Sequence, residues 1–330
     1  MGNRRWTPMN TDDGPMNHRI DFSSYCVMSV WFGCNNRCTI CMLSEVQERL
    51  PSLSFDRFKE VTNDLAREGR YENLILSGGE VTTFDDLDRY VQFAASIGWF
   101  KRIQIQTNGR RLADRRYVEH LVNCGVNEFF VSVQGFEETH DAVTRVPGSF
   151  RQAMAGIDNL AAYGVNIISN TVLTKANLTE IERLIDFLTG DPVNEVQLWN
   201  FFPMERTDRG NRLVSLREFT QVLPHLASSA ARTRKPIVLK SFPECLSVGP
   251  PLFFDSVFPA TVLPDLFWKQ FGECGFGRCI HRERNACLDQ ECWGLSSAYV
   301  QKYGDERELL RPIGKDGRNV TGPLGHLVPP

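Results

Sequence analysis

The sequence predicts an α/β fold: a partial (βα)6 TIM-like barrel followed by a small cysteine-rich C-terminal extension. Short apolar runs rich in β-branched residues alternate six times with longer segments whose apolar residues recur at helical spacing. Strands that alternate with helices pair in parallel, with the helices covering the outer face of the sheet. Six units are too few for a closed eight-stranded barrel, so we expect an open one. The second observation is that eight of the ten cysteines fall in two groups.

The six strand–helix units follow one another in chain order. The predicted strands are SYCVMSVWF, NLILSGGE, RIQIQTNG, NEFFVSVQG, VNIISNTVLT and NEVQLWNFF. The predicted helices are SFDRFKEVTNDLAREG, FDDLDRYVQFAASIG, ADRRYVEHLVNCG, SFRQAMAGIDNLAAYG, LTEIERLIDFLTG and SLREFTQVLPHLAS. In the first unit Ser54 is the predicted N-cap and Gly69 the predicted stop, because serine accepts from free N–H groups and glycine tolerates a left-handed backbone.

Polar motifs follow the predicted strands. The first strand precedes a cysteine motif, the second ends in SGGE, the third in QTNG and the sixth in WNFFPM. Ser132 and Gln134 end the fourth strand, and Asn170 lies in the fifth. Because the carboxyl ends of parallel strands meet at one edge of a barrel, these residues are predicted to share one mouth, where the chemistry is expected.

The composition is that of an ordinary globular protein, with 42% hydrophobic and 23% charged residues among 330. A net charge of −3 gives no electrostatic bias toward nucleic acid. No run reaches the roughly 18 apolar residues of a membrane span, and the start of the chain has no apolar signal segment. We expect a cytoplasmic protein with a polar tail over 1–20, a barrel over 21–232 and a cysteine-rich domain over 233–330.

Three cysteines, Cys34, Cys38 and Cys41, lie close together in CNNRCTIC. A disulfide scaffold is disfavoured, because disulfide-dense chains are usually short and exported. Thiolates suit zinc or iron–sulfur clusters, and a structural zinc site would need a fourth ligand nearby. A [4Fe–4S] cluster held by three thiolates leaves one iron open for a non-protein ligand. Cys26 and Cys124 stand apart in apolar surroundings and are expected to be buried free thiols.

In their order along the chain, CNNRCTIC, GGE, TNG and the VSVQG…HDAVTR segment resemble the radical S-adenosylmethionine (SAM) superfamily over roughly residues 22–205. The resemblance implies that SAM chelates the open iron through its amino and carboxylate groups. It also implies that an electron delivered to the cluster cleaves SAM to methionine and a 5′-deoxyadenosyl radical, which abstracts a substrate hydrogen atom. A flavodoxin- or ferredoxin-type donor is the implied source of the electron.

Carried over residue by residue, the resemblance assigns roles to individual side chains. The implied cluster ligands are Cys34, Cys38 and Cys41. The implied partners of the SAM ammonium are Gly78, Gly79 and Glu80, a choice that charge complementarity also favours for the carboxylate. Those implied to contact the ribose or the methionine moiety are Ser132 and Asn170. Arg151 either pairs with the SAM carboxylate or is a solvated helix arginine, and Ile40 replaces the aromatic residue that usually flanks the adenine.

Five further cysteines lie near the C-terminal end: Cys245, Cys274, Cys279, Cys287 and Cys292. Their spacing is irregular for a zinc ribbon, although zinc remains an alternative. The closing segment from CWGLSS resembles the SPASM or twitch extensions of radical SAM enzymes, which hold an auxiliary iron–sulfur cluster. We therefore expect one auxiliary [4Fe–4S] cluster, with one cysteine left over as a structural, unused or hydrogen-donating thiol.

The sequence alone is compatible with more than one reaction and more than one class of substrate. A spare thiol facing the substrate would allow epimerisation, whereas an auxiliary cluster that accepts an electron would allow oxidation or a peptide crosslink. The short segment before the first strand favours a small molecule, such as a sugar, aminocyclitol or amino-acid derivative, over a peptide. The aromatic stretch Phe253–Phe271 is either a wall of the substrate pocket or core. A non-catalytic iron–sulfur carrier and a zinc protein remain as alternatives from other classes.

Overall fold

The computed structural model describes residues 20–190, 192–246, 252–277, 279, 281, 287 and 292–313. Its nine strands are β1 Tyr25–Trp31, β2 Asn73–Gly78, β3 Arg102–Thr107, β4 Glu128–Ser132, β5 Asn166–Leu173, β6 Glu195–Asn200, β7 Ile237–Lys240, β8 Leu252–Asp255 and β9 Ala260–Val262. Its α-helices are α1 Phe55–Glu68, α2 Leu87–Ile97, α3 Arg115–Cys124, α4 Glu137–Thr144, α5 Ser149–Leu160, α6 Ile181–Leu188, α7 Leu216–Thr233, α8 Asp265–Glu273 and α9 Ser297–Tyr303.

All six predicted strand–helix units are present, and one further helix that was not predicted lies within the barrel. That helix is α4, which covers the HDAVT letters between β4 and α5. In the first unit the side chain of Ser54 accepts from the backbone N–H of Arg57 at 3.3 Å, and Gly69 ends the helix with φ +66°. Both predicted caps are therefore confirmed.

The strands form a single sheet in the order β8-β7-β6-β5-β4-β3-β2-β1-β9, and every neighbouring pair is parallel. Nine flat strands would span about 38 Å across the sheet. The two edge strands, β8 and β9, are joined by only the four residues 256–259, which reach at most about 18 Å from strand to strand. The sheet must therefore curl into a barrel that is open between β8 and β9, which confirms the predicted fold class.

The segment beyond residue 233 contributes three strands to this same sheet. Strand β7 pairs with β6 at Ile237 opposite Val196, and β9 pairs with β1 at Ala260 opposite Cys26. The domain boundary predicted at residue 232 coincides with the end of α7, but the sheet continues across it. The predicted extension thus begins with strands of the barrel itself.

Alternation along the strands divides the core into two layers. Outward side chains such as Met28, Leu76 and Val131 pack with helix residues in one large buried cluster. Inward side chains form a smaller cluster around Val27 and Ile75 that fills the lower barrel. Above this plug the inward positions become polar, which leaves a polar mouth at the carboxyl ends of the strands.

Two cysteines are part of the buried core. Cys26 and Cys124 are free thiols with exposed fractions of 3% and 6%, as the sequence predicted. Burial raises the pKa of Cys26 to about 11, so this thiol stays neutral. None of the described helices combines the length and the apolar character needed to cross a bilayer.

Candidate active site at the mouth of the barrel

The loop after β1 brings three thiols together at the mouth. Desolvation raises the pKa of Cys34 to about 11 and that of Cys38 to about 12, and it also raises the pKa of Cys41. The Cys41 thiol further raises the pKa of both Cys34 and Cys38. The carboxylate of Glu80 also raises the pKa of Cys34. The predicted ligands therefore lie within electrostatic reach of one another. Because a metal binds the thiolate, cluster assembly must release these protons.

Backbone hydrogen bonds fasten this cysteine loop to α4. The N–H of Arg37 donates to the carbonyl of Thr144 at 3.1 Å, and the N–H of Thr39 donates to the carbonyl of Val143 at 2.8 Å. These acceptors are the last carbonyls of α4, which have no partner within the helix. Helix α4 thus supports the loop that carries the predicted cluster ligands.

Arg110 fastens the same loop from the other side, a role that was not expected from the sequence. Its guanidinium donates to the carbonyl of Asn35 at 2.6 Å, to Oδ1 of Asn36 at 2.9 Å and to Gln152 at 2.7 Å. This cation also lowers the pKa of Cys34, although desolvation outweighs it. The only sequence signal was its position directly after QTNG, at the end of β3.

The glycines of SGGE allow two backbone segments to touch. The N–H of Gly79 donates to the carbonyl of Trp31, and the N–H of Glu80 donates to that of Gly33, both at 2.8 Å. A Cβ on Gly78, where φ is +137°, would lie 1.9 Å from the oxygen of Trp31. A Cβ on Gly79 would lie 2.5 Å from the oxygen of Gly33. Only glycine lets this motif reach the cysteine loop.

Glu80 is 1% exposed, and protein donors surround its carboxylate. One oxygen accepts from the N–H and hydroxyl of Thr82 at 3.1 and 2.6 Å and from the hydroxyl of Thr107 at 2.6 Å. The other accepts from the N–H of Asn108 at 2.6 Å. Burial raises the pKa of Glu80, and these hydrogen bonds oppose the rise. The carboxylate therefore ties the ends of β2 and β3 together, and its predicted contact with the SAM ammonium stays a prediction.

Asn170 presents an unused donor to the mouth. It pairs with Ser132 across β4 and β5 and is 7% exposed. Its side-chain nitrogen has no hydrogen-bond partner among the residues that the structure describes. A buried donor without a partner costs about 1–3 kcal/mol, so a bound ligand that accepts from it would relieve this cost. The predicted contact of Asn170 with SAM stays a prediction.

The two remaining predicted SAM contacts differ in position. Ile40 lines a cavity of about 140 Å³ beside Cys41, with Phe201 and Phe202 on the other side. Arg151 is exposed and lies 3.4 Å from Glu137 in a surface ion pair. Ile40 is thus placed to pack against a ligand ring, whereas the position of Arg151 suits a solvated helix arginine.

The residues at the mouth fit a cluster with SAM. Three thiols gather beside a close-packed glycine motif, and β5 contributes a buried amide that has no partner among the described residues. Within the described parts of the chain, no three or more His, Cys, Asp or Glu side chains converge as they would around a single ion.

At the C-terminal end, four of the five cysteines come together. Burial raises the pKa of Cys245, and the thiols of Cys292, Cys279 and Cys287 raise it further. The thiol of Cys292 also accepts from the N–H of Gly294 at 3.4 Å. These four side chains are therefore near neighbours, although 47 residues separate the first from the last in the chain.

Cys274 lies apart from these four. Its thiol donates to the carbonyl of Gln270 at 3.2 Å. Burial raises the pKa of Cys274, and the charge of Glu273 raises it further. None of the other four cysteines affects this pKa. It lines an outer groove together with Glu45 and Arg206. The structure thus separates one cysteine from the set of five, which the sequence could not do.

Known proteins are similar to this chain in sequence and in fold. The chain is 29% identical over 221 residues to Fe-coproporphyrin III synthase of Methanosarcina barkeri, covering 65% of this chain and 53% of that protein. It is 25% identical over 178 residues to the sporulation killing factor maturation protein SkfB of Bacillus subtilis, covering 53% and 42%. The chain spans about half the length of these curated relatives.

A solved structure, SuiB of Streptococcus suis bound to its precursor peptide SuiA, matches with a TM-score of 0.55 and 15% identity. The match covers 82% of this chain and 56% of that one, and at this identity it shows a common fold alone. The Radical SAM superfamily model matches residues 28–188, which include the cysteine loop, the SGGE motif and Asn170. Residues 28–188 therefore belong to the radical SAM superfamily, whose members use a [4Fe–4S] cluster and SAM.

Proposed function

We propose that this chain is a radical SAM oxidoreductase that removes two hydrogens from a substrate bound between the barrel mouth and the C-terminal cysteines. When bound, the cluster and SAM supply the reducing electron and the 5′-deoxyadenosyl radical that takes one hydrogen atom. A flavodoxin- or ferredoxin-type protein is the proposed source of that electron. The observation that carries the proposal is the gathering of four thiols, with the fifth turned away from them.

The residues of the mouth would hold and orient the cofactors. Cys34, Cys38 and Cys41 would ligate the cluster. The backbone carbonyls of Gly78 and Gly79 would accept from the SAM ammonium, and the unpartnered amide of Asn170 would donate to the ribose or the carboxylate. Arg110 and α4 would keep the cysteine loop in place while the cofactor is exchanged.

The second cysteine set is proposed to hold a SPASM- or twitch-like auxiliary [4Fe–4S] cluster. Its ligands would be Cys245, Cys279, Cys287 and Cys292, which leaves Cys274 as the spare thiol. Four thiolates complete the coordination of such a cluster, so this site needs no external ligand. It is therefore suited to exchange electrons rather than to bind SAM.

The position of Cys274 bears on the reaction. Helix α8 directs Phe267, Trp268 and Phe271 toward an inner cavity, and it directs Lys269 and Glu273 toward the outer groove that Cys274 also lines. A hydrogen donor for epimerisation must face the substrate radical, and Cys274 lies on the outer side of α8. Oxidation is therefore favoured: the 5′-deoxyadenosyl radical would take the first hydrogen as an atom, and the second would leave as a proton to solvent with its electron passed to the proposed auxiliary cluster.

Iron content and product mass test the proposal together. The anaerobically reconstituted chain is expected to bind about eight irons, and the Cys245→Ala variant about four while still cleaving SAM. Cys274→Ala is the matched control, and this variant is expected to keep about eight irons per chain. A product two hydrogens lighter supports oxidation. Zinc without iron, loss of irons in Cys274→Ala, or solvent deuterium at a product carbon would contradict the proposal.

A peptide-modifying reaction is the second candidate. The outer groove has a volume of about 610 Å³ and is lined by charged side chains of both signs, including Arg49, Arg209 and Glu273. A groove of this kind suits the polar backbone and side chains of a peptide. Two similar proteins are named for peptide maturation or were solved with a precursor peptide. A crosslinked or dehydrogenated peptide product would distinguish this candidate from oxidation of a free small molecule.

A further inference from the structure

An apolar cavity of about 230 Å³ lies between the two cysteine sites. Gly78 of the SGGE motif forms one side, together with Met42 and Leu43 directly after the cysteine loop. Trp293, the residue after Cys292, forms the opposite side. A substrate group in this cavity would therefore lie between the proposed SAM site and the proposed auxiliary cluster.

The described residues that line the cavity include no charged side chain. Among the polar ones, Ser77 already donates to Gln106 at 2.7 Å. The indole N–H groups of Trp199 and Trp293 are also committed, to Gln197 at 2.9 Å and to the carbonyl of Ser256 at 3.1 Å. A ligand with many hydroxyl groups would lose its hydrogen bonds to water here and find few replacements.

A buried charged pair lies next to two rings of the cavity wall. Lys240 is fully buried, 3.0 Å from Asp255, and its ammonium lies 4.3 Å from the ring centre of Phe22 and 5.3 Å from that of Phe258. Phe22 and Phe258 both belong to the cavity wall. The pair is thus neutralised and separated from a ligand by aromatic rings.

Eight of the eighteen described lining residues are aromatic, and several of their rings stand at an angle to one another. The ring of Trp293 lies 4.6 Å from that of Phe258 and 5.6 Å from that of Phe202, with interplanar angles of 57° and 69°. Trp268 stands at the rim with 42% of its surface exposed. Rings in tilted and edge-to-face contact form a cage that suits a further planar ring.

We infer that the part of the substrate held in this cavity is an uncharged aromatic ring system of one or two rings, and that the hydrogens are removed from saturated carbons attached to the ring. The ring is carried either by a free amino-acid derivative or by a residue within a peptide. This inference rests on the proposed function, because it names the substrate class of the same site. The lining disfavours the sugar and aminocyclitol substrates expected from the sequence, and the volume disfavours a four-ring tetrapyrrole.

Calorimetry on the anaerobically reconstituted full chain with SAM tests the inference. The probes are N-acetyl-tryptophanamide, a short peptide with one central tryptophan, and myo-inositol as the polyol control. Both aromatic probes are expected to bind at least tenfold more tightly than myo-inositol. A preference for the peptide would assign the ring to a peptide residue, and a preference for the amide would assign it to a free amino-acid derivative.

Two variants locate the binding. Trp268→Ala removes a rim ring and is expected to weaken aromatic binding at least tenfold. Phe187→Ala is the matched control, because Phe187 is similarly exposed at 48% but lies on α6, away from the cavity wall. The control is expected to change binding less than twofold.

The ring inference and the proposed function can fail separately. If 5′-deoxyadenosine forms under reductant but neither aromatic probe binds, or the polyol binds as tightly, the ring inference is overturned and the proposed function stands. Equal effects of Trp268→Ala and Phe187→Ala would also overturn the inference. If no 5′-deoxyadenosine forms with any probe, the proposed function itself fails.

Discussion

Individual residues at the mouth show which side chains serve the fold and which wait for a ligand. Gly78 and Gly79 lie so close to the cysteine loop that no side chain fits. Asn170 keeps a buried donor without a protein partner. The first case is a steric requirement and the second an unmet hydrogen bond, so they lead to different experiments.

At Gly79 an added methyl group is expected to push the cysteine loop away. Its Cβ would meet the carbonyl oxygens of Gly33 and Phe32 at 2.5 and 2.6 Å. We expect Gly79→Ala to weaken SAM binding at least about tenfold, measured by equilibrium dialysis on reconstituted protein. Gly272→Ala is the control, because nothing lies within 4 Å of its Cβ. Unchanged SAM affinity in Gly79→Ala would contradict the proposed role of the motif.

Two buried asparagines give a matched pair for the ligand contact. The amide of Asn177 donates to the carbonyls of Gln134 and Val172, both at 2.9 Å, whereas that of Asn170 has no partner among the described residues. We expect Asn177→Ala to destabilise the protein by about 1–3 kcal/mol. Asn170→Ala should leave stability unchanged or higher but weaken SAM binding.

Urea unfolding and SAM titration of the two variants separate these effects. A large stability loss in Asn170→Ala, with SAM affinity intact, would show that its amide serves the fold instead of the ligand.

At the scale of elements, helices α4 and α8 matter most for the site. Helix α4 ends in the carbonyls that hold the cysteine loop. Helix α8 separates the aromatic cavity from the charged outer groove and so decides which way Cys274 faces. Neither role was visible in the sequence, because α4 is only eight residues long and α8 lies in a stretch too aromatic to show one apolar face.

The stability of the protein is expected to depend on pH through a buried histidine of α4. His140 is 1% exposed, and its Nδ1 accepts from the N–H of Gln134 at 3.0 Å. Burial lowers its pKa to about 4, whereas Asp141 acts weakly in the opposite direction. The unfolded chain, with a pKa near 6.5, therefore binds more protons between these values. Stability is expected to fall by up to about 3 kcal/mol as the pH falls from 6.5 to 4.

Urea unfolding at a series of pH values measures this slope. His140→Asn keeps an acceptor for the N–H of Gln134 but does not titrate, so its slope between pH 6.5 and 4 should be smaller. An equal slope in both proteins would assign the acid sensitivity to other groups.

At the scale of the whole molecule, the sheet unites the two predicted domains. Strands β7 and β9 cover the two edges that the six-unit barrel alone would expose, at β6 and at β1. Residues buried at these edges include Val196, Leu198 and Met28. A parallel sheet with uncovered edges is prone to aggregation.

Truncation tests this dependence. A chain that ends after Arg234 is expected to be insoluble or to lack a cooperative thermal transition, because both edges lose their partners. Soluble yield and the melting curve by circular dichroism measure the outcome. A truncated chain that is soluble, with a sharp transition, would show that the predicted barrel over 21–232 is an independent domain.

Much of this protein is encoded locally. The alternation of apolar runs and helical segments, the caps at Ser54 and Gly69, and the spacing of Cys34, Cys38 and Cys41 depend on near neighbours in the chain, so the sequence by itself determined the barrel units and the first cysteine site. Tertiary structure alone decided that β9 pairs with β1, and that Cys245 lies near Cys292 while Cys274 stays apart from both. Contacts between segments far apart depend on the path of the chain and on which side chains share a face, and no local pattern carries that information.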